Sequence, residues 1–155
     1  MIEFFDFTNN NGLTWHFNTD TCPLKEFEVD VDIRTEEVPR MQEHGLWPSY
    51  SYAGKMLLHL TGDILQATPQ AYIADRIQML KVLTPAGVVV THRTIGKITM
   101  QYTGQETMYN DSVTLDAAPS IPMHALYPSV TEFQITFKCF KPYMIGAGSG
   151  QFYSI

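Results

Sequence analysis

Glu26, Glu28, Asp30 and Asp32 stand at every second position of one stretch. Carboxylates so spaced could ligate a divalent cation or pair as general acid and base. A cage of oxygen ligands, however, needs a loop that wraps the ion, whereas an extended strand offers its carboxylates in a flat row. The plainer account of the four acids is a strand surface facing solvent or a channel. The five histidines, His16, His44, His59, His92 and His124, never fall at HxH or HxxxH spacing, so they suggest no zinc site. Cys22 and Cys139 are far apart and neither has a CxxC partner, which indicates neither a metal knuckle nor a disulfide framework and makes a reduced compartment the default. Ser49, Ser51 and Ser112 lack a neighbouring activating group, and no GxSxG, GxGxxG, P-loop or HExxH sequence occurs. No catalytic residue, metal or cofactor is expected, and the chain does not read as an enzyme.

Aromatic residues are the more telling chemistry. Residues 35–53 lose all periodicity yet carry Met41, Leu46, Trp47, Tyr50 and Tyr52. Long loops of this kind are usually binding surfaces or disordered, and so much apolar surface argues for docking. With Phe152 and Tyr153 near the end of the chain, these residues are the expected interface with another subunit or partner. A different use of Trp47, Tyr50 and Tyr52, as stacking platforms in a monomeric carbohydrate-binding β-sandwich, stays open.

The elements that must position these groups are mostly strands. Residues 4–17 form a hairpin about Asn11-Gly12, since both residues tolerate positive φ. In 26–34, Phe27, Val29, Val31 and Ile33 alternate with the acids and are expected to face a core. Met56, Leu58 and Leu60 share a face in 55–60, as do Ile98, Met100 and Tyr102 in 96–102 and Phe133, Ile135, Phe137 and Cys139 in 131–140. Residues 87–93 read as a further β-branched strand and 112–115 as a short one. One helix is predicted over 68–84, started by Thr68-Pro69 and stopped by Pro85, with Ile73, Ile77, Leu80 and Leu83 turned inward. About seven or eight strands and one helix point to a mainly β (α+β) fold, an antiparallel β-sandwich with one amphipathic helix. Its expected extent is 1–145, with 146–155 as a flexible glycine-rich tail.

Composition sets the outer limits. A chain of 155 residues is one domain of ordinary size, able to bury about 68–70% of its unfolded surface without a staple. A net charge of −6 opposes a nucleic-acid face built on phosphate neutralisation. No basic n-region precedes an apolar run, and no segment of about 18 apolar residues could span a bilayer. Neither export by a signal peptide nor a membrane role is expected.

Taken in order, the hairpin at Asn11-Gly12, the stretch Gly54-Lys55-Met56-Leu57-Leu58-His59-Leu60-Thr61-Gly62-Asp63-Ile64, the helix ending Leu80-Lys81-Val82-Leu83-Thr84-Pro85 and the closing Phe133-Gln134-Ile135-Thr136-Phe137-Lys138-Cys139-Phe140-Lys141-Pro142-Tyr143 resemble the N-terminal domain of distal tail proteins of long-tailed bacteriophages. The likeness runs over nearly the whole chain, with Lys141 where Asp is usual and Lys55 where Arg is common. It implies a β-sandwich with one helix and a tail-tube-like, hexameric ring joining the tail tube to the distal tip or baseplate. It further implies a virion component, assembled in the host cytoplasm, whose partners are the tail tube protein and a tail-tip or hub protein. DNA would pass through such a ring without specific binding. Glu26, Glu28, Asp30 and Asp32 would then face the channel, where negative charge keeps phosphate from adhering.

Overall fold

The computed structural model describes residues 1–35, 38–39, 46–47, 51–84, 96–123 and 130–155. β1 (Ile2–Thr8) and β2 (Thr14–Phe17) pair as a hairpin with Phe5 opposite Phe17. Asn9 Oδ1 organises its turn by accepting from the amides of Asn11 and Leu13, both at 3.0 Å. Gly12 takes a φ of +81° there, which a residue with a Cβ would adopt only under strain. There follow β3 (Leu24–Thr35), the short β4 (Val38–Pro39) and β5 (Leu46–Trp47), β6 (Ser51–Leu65), α1 (Pro69–Leu83), β7 (Gly96–Tyr102), β8 (Met108–Leu115), β9 (Val130–Cys139), β10 (Met144–Gly146) and β11 (Phe152–Tyr153). The expected strand over 87–93 and the stop at Pro85 lie outside the described residues.

All principal strands join one antiparallel sheet in the order β2-β1-β7-β8-β9-β6-β3, with β10 beside β8 and β11 beside β10. Laid flat, that order would hold β1 and β9 about 14 Å apart. Instead the rings of Phe7 and Phe137 lie 4.9 Å apart, and Phe5 lies 5.8 Å from Phe27 of β3, five strands along. The sheet therefore folds back on itself, β2-β1-β7 facing β9-β6-β3. β8 turns the corner. Its first half pairs with β7 through Met100↔Met108 and Ile98↔Asn110, and its last three residues pair with Cys139, Lys138 and Phe137 of β9. Phe5, Phe7, Phe17, Phe133 and Phe137 fill the space between the layers, with Met56, Leu58, Leu60, Ile98 and Met100 buried around them. The mainly β architecture expected from the alternation is thus present, with a single helix among the described residues. Gly62 belongs to the same core: a Cβ there would stand 2.4 Å from the Pro23 carbonyl oxygen and 2.6 Å from the Phe133 ring.

Two core expectations need correction. The helix begins as its sequence signals, Thr68 Oγ1 accepting from the Ala71 amide at 3.2 Å with Pro69 in the first turn. It buries Leu83 as expected, but together with Tyr72, Met79 and Val82, and leaves Ile73 37% and Ile77 58% exposed. The helix is turned by about one residue, or 100°, from the predicted face; Leu80 is only partly buried against the core. Both stripes are apolar, so periodicity alone does not choose between them. Polar partners favour the observed one, because the Tyr72 hydroxyl donates to the Pro122 carbonyl at 2.8 Å and Arg76 Nε to that of Ile121 at 3.0 Å. Ile77→Ala should accordingly shift stability by less than about 0.5 kcal/mol in urea denaturation; a loss near 2 kcal/mol, roughly that of a buried aliphatic, would contradict the rotation.

The second correction is Ile33, which is 68% exposed. β9 stops pairing with β6 at Met56↔Cys139, while β3 and β6 continue alone to Thr35↔Ser51. Beyond Val31 the pair runs on without β9 beside it, and Ile33 stands on this unsupported stretch. An extra residue of β6 between Ala53 and Met56 adds a bulge there, which increases local twist.

The strand expected at 112–115 begins earlier, at Met108. Residues 146–150, whose glycines suggest a linker, turn between β10 and β11, with the Gly146 amide donating to the Gln151 carbonyl at 2.8 Å.

Candidate assembly surfaces

Antiparallel register builds the outer face of β3-β6-β9 row by row. Glu26 stands opposite Thr61 and then Gln134, Glu28 opposite His59 and Thr136, and Asp30 opposite Leu57 and Lys138. The acids occupy the outermost strand of the sheet, and Glu26, Glu28 and Asp30 are exposed. Among the described residues no ion pair engages these three. Neighbouring carboxylates on one strand face are about 6.8 Å apart, close enough to act as one negative stripe at physiological salt. Asp32, at the bulge, is partly exposed and accepts from Arg34 Nε at 3.4 Å. Asp30, Asp32, Ile33, Lys55 and Leu57 line a shallow depression of about 360 Å³ there.

The middle of the face is polar without being strongly charged. His59 Nδ1 and Thr136 Oγ1 are hydrogen-bonded at 2.9 Å across β6 and β9. Lys25 closes one end, with its Nζ 2.9 Å from Asp63 and 3.3 Å from Glu132. Among the described residues no group of three or more His, Cys, Asp or Glu is placed to hold a metal ion. Burial pushes the Cys22 and Cys139 thiols up to about 12, so neither supplies a thiolate at neutral pH.

Of the aromatic excursion, the described residues fall in strands. Tyr52 pairs with Arg34 inside the β3–β6 ribbon, while Leu46 and Trp47 form β5 and pair with Pro39 and Val38 of β4. This second small ladder has no counterpart in the sequence reading, because two-residue strands carry no measurable alternation. Met41 and Tyr50 lie outside the described residues. At the other end of the chain, Phe152 is 69% exposed and its ring centroid lies 4.6 Å from that of Tyr143. Tyr153 is half-buried and its hydroxyl donates to Glu106. The fold thus sets the acidic stripe and the ribbon on one long hairpin, and places Phe152 and Tyr153 on a different one.

Two residues that the sequence reading did not assign to these surfaces matter to them. Ile33 is the apolar side chain shown standing free on the ribbon. Glu106 accepts hydrogen bonds from residues more than 40 positions away, which no local pattern announces. Among the described residues, no helix is long and apolar enough to cross a membrane.

No family model matches this chain, and no curated protein matches it in sequence. Among solved structures it is similar in fold to the Dit protein of phage SPP1, described as a paradigm of the hub adsorption apparatus in phages that infect Gram-positive bacteria. The TM-score is 0.57 at 12% identity, covering 92% of this chain and 52% of that one. The chain therefore spans about half the length of that protein, and the likeness is one of fold.

Proposed function

We propose that the chain is a structural component of a phage tail tip, a distal tail protein whose copies close into a hexameric ring between the tail tube and the tip or baseplate. The observation that carries this reading is the fold shared with the Dit protein over 92% of the chain. The surfaces agree with it. A closed ring of identical subunits needs two different, complementary patches on each copy. The ribbon with Ile33, Leu46, Trp47 and Tyr52 is one, and the far side of the sandwich, with its own sheet edge at β2, offers the other.

The acidic stripe of Glu26, Glu28 and Asp30, with Asp32 at its end, faces the channel in this reading. A negative wall lets DNA slide past without the counterion-release attraction that Lys and Arg would create. The tail tube protein and a hub protein stack on the two ring faces, no membrane or cofactor takes part, and the role is structural rather than enzymatic. The ring belongs to the virion tail and is assembled in the host cytoplasm.

Native mass spectrometry with negative-stain imaging tests the proposal. The wild-type chain should run as six copies around a central hole, and the double substitution Trp47→Ser, Tyr50→Ser should give a folded monomer. A wild-type monomer that binds oligosaccharide through the same aromatic residues would replace this reading with a carbohydrate-binding one. A ring that carries Glu26, Glu28 and Asp30 on its outer wall would overturn the channel assignment.

A further inference from the structure

We propose that residues 147–155 are a detachable strap, clamped to the body of the domain by the Glu106 carboxylate and released when that carboxylate takes up a proton. Four donors from the strap converge on this one side chain. The amides of Gly148 and Ser149 donate to Oε2 at 3.1 and 3.0 Å, and the hydroxyls of Ser149 and Tyr153 donate to Oε1. Besides these bonds, the Ala147 amide donates to the Thr107 carbonyl at 2.8 Å, Phe152 packs on Tyr143, and Tyr153 and Ile155 rest partly buried against the core. β11 is a two-residue edge strand that pairs only with β10, at Met144↔Tyr153 and Ile145↔Phe152. β10 itself is anchored, with Met144 fully buried and Ile145 paired with Tyr109 of β8. The division between fixed and movable chain therefore falls at Gly146–Gly150, where Gly150 has a φ of +68°.

The strap covers something. Tyr153, Ser154 and Ile155 close over Tyr102, Gln105 and Met108 around a cavity of about 160 Å³. Release would uncover Met108, now 3% exposed, and the half-buried Tyr102.

Hydrogen bonds to an ionised acceptor are about twice as strong as neutral ones, so loss of the charge weakens all four contacts together. The donors from Ser149, Tyr153 and Gly148 hold the Glu106 carboxyl down to about 2, from an ordinary 4.5. A folded-state pKa below the unfolded one means that the clamp is fully engaged above about pH 4.5 and is lost as pH falls through about 2. The titratable groups facing Glu106 are Tyr153 from β11 and, across the cavity, Tyr102 from β7, whose phenol is raised by desolvation. The raised Tyr102 phenol stays neutral throughout that acid window. Among the described residues no ion pair engages Glu106.

Amide hydrogen exchange, corrected for the intrinsic pH dependence of exchange, reads the strap and the core separately. In the intact chain, protection at Gly148, Ser149 and Tyr153 should fall by about tenfold or more between about pH 6 and about pH 2, while β6 and β9 stay protected. Glu106→Gln should show the unprotected strap already at about pH 6. Tyr153→Phe and Ser149→Ala, each lacking one bond, should give intermediate losses and keep the test available if Glu106→Gln does not fold. Protection of the strap unchanged in these variants, or lost only together with the core, overturns the proposal.

Discussion

Phe137→Ala should lower the stability of the folded chain by about 3–5 kcal/mol, the largest effect expected of any single core substitution here. Phe137 is fully buried and joins the two layers, its ring centroid 4.9 Å from Phe7, 6.0 Å from Phe5 and 6.3 Å from Phe17. These partners come from the strands that fold over onto β9, so truncation opens a cavity where the sheet closes on itself. The surrounding rings are fixed by their own strands and cannot collapse far into the gap, and residual cavity volume is what raises the cost of such truncations. Urea denaturation should show a lower midpoint at an unchanged slope. A loss below about 1 kcal/mol would mean that the layers do not meet at Phe137.

Asn110→Leu should be the second most damaging change, for a polar reason. Asn110 is fully buried on β8 at the corner of the sheet. Its Nδ2 donates to the Lys141 carbonyl at 2.9 Å and the Tyr143 carbonyl at 3.0 Å, and its Oδ1 accepts from the Ser112 amide at 3.0 Å. Leucine fills much the same space but satisfies none of these groups. Each backbone group left dry and unpaired costs about 1–3 kcal/mol. Because Lys141 and Tyr143 lead into β10, the loss should appear first as faster hydrogen exchange at residues 141–146. A variant with wild-type exchange there and an unshifted unfolding midpoint would show that Asn110 is not what holds this segment.

Local order was legible where one physical rule governed. Alternation over 55–60, 96–102 and 131–140 named the inward residues of β6, β7 and β9, since the pleat forces successive side chains to opposite faces. The Thr68-Pro69 start of α1 and the Asn11-Gly12 hairpin were equally plain, because their signals reside in the backbone preferences of the residues themselves. The acidic row of β3 was legible as a row on one strand for the same reason.

What the tertiary structure decided is where those elements stand relative to one another. Ile33 obeys the alternation of β3 yet is exposed, because it lies on the part of the β3–β6 pair that runs beyond the end of β9 pairing at Met56↔Cys139. Ile77 yields its inward place to Met79 because carbonyls of Ile121 and Pro122, over 40 residues onward, receive Arg76 and Tyr72. The strand read over 112–115 begins at Met108 because the buried Asn110 amide finds acceptors contributed by residues 141 and 143. Glu106 and the strap follow the same logic: a carboxylate in a polar loop has no identity until distant amides and hydroxyls converge on it. The sequence by itself determined the local conformations and their apolar faces. Which of those faces became core, edge, ribbon or clamp was settled by long-range partners, whose hydrogen bonds and excluded volume no local pattern encodes.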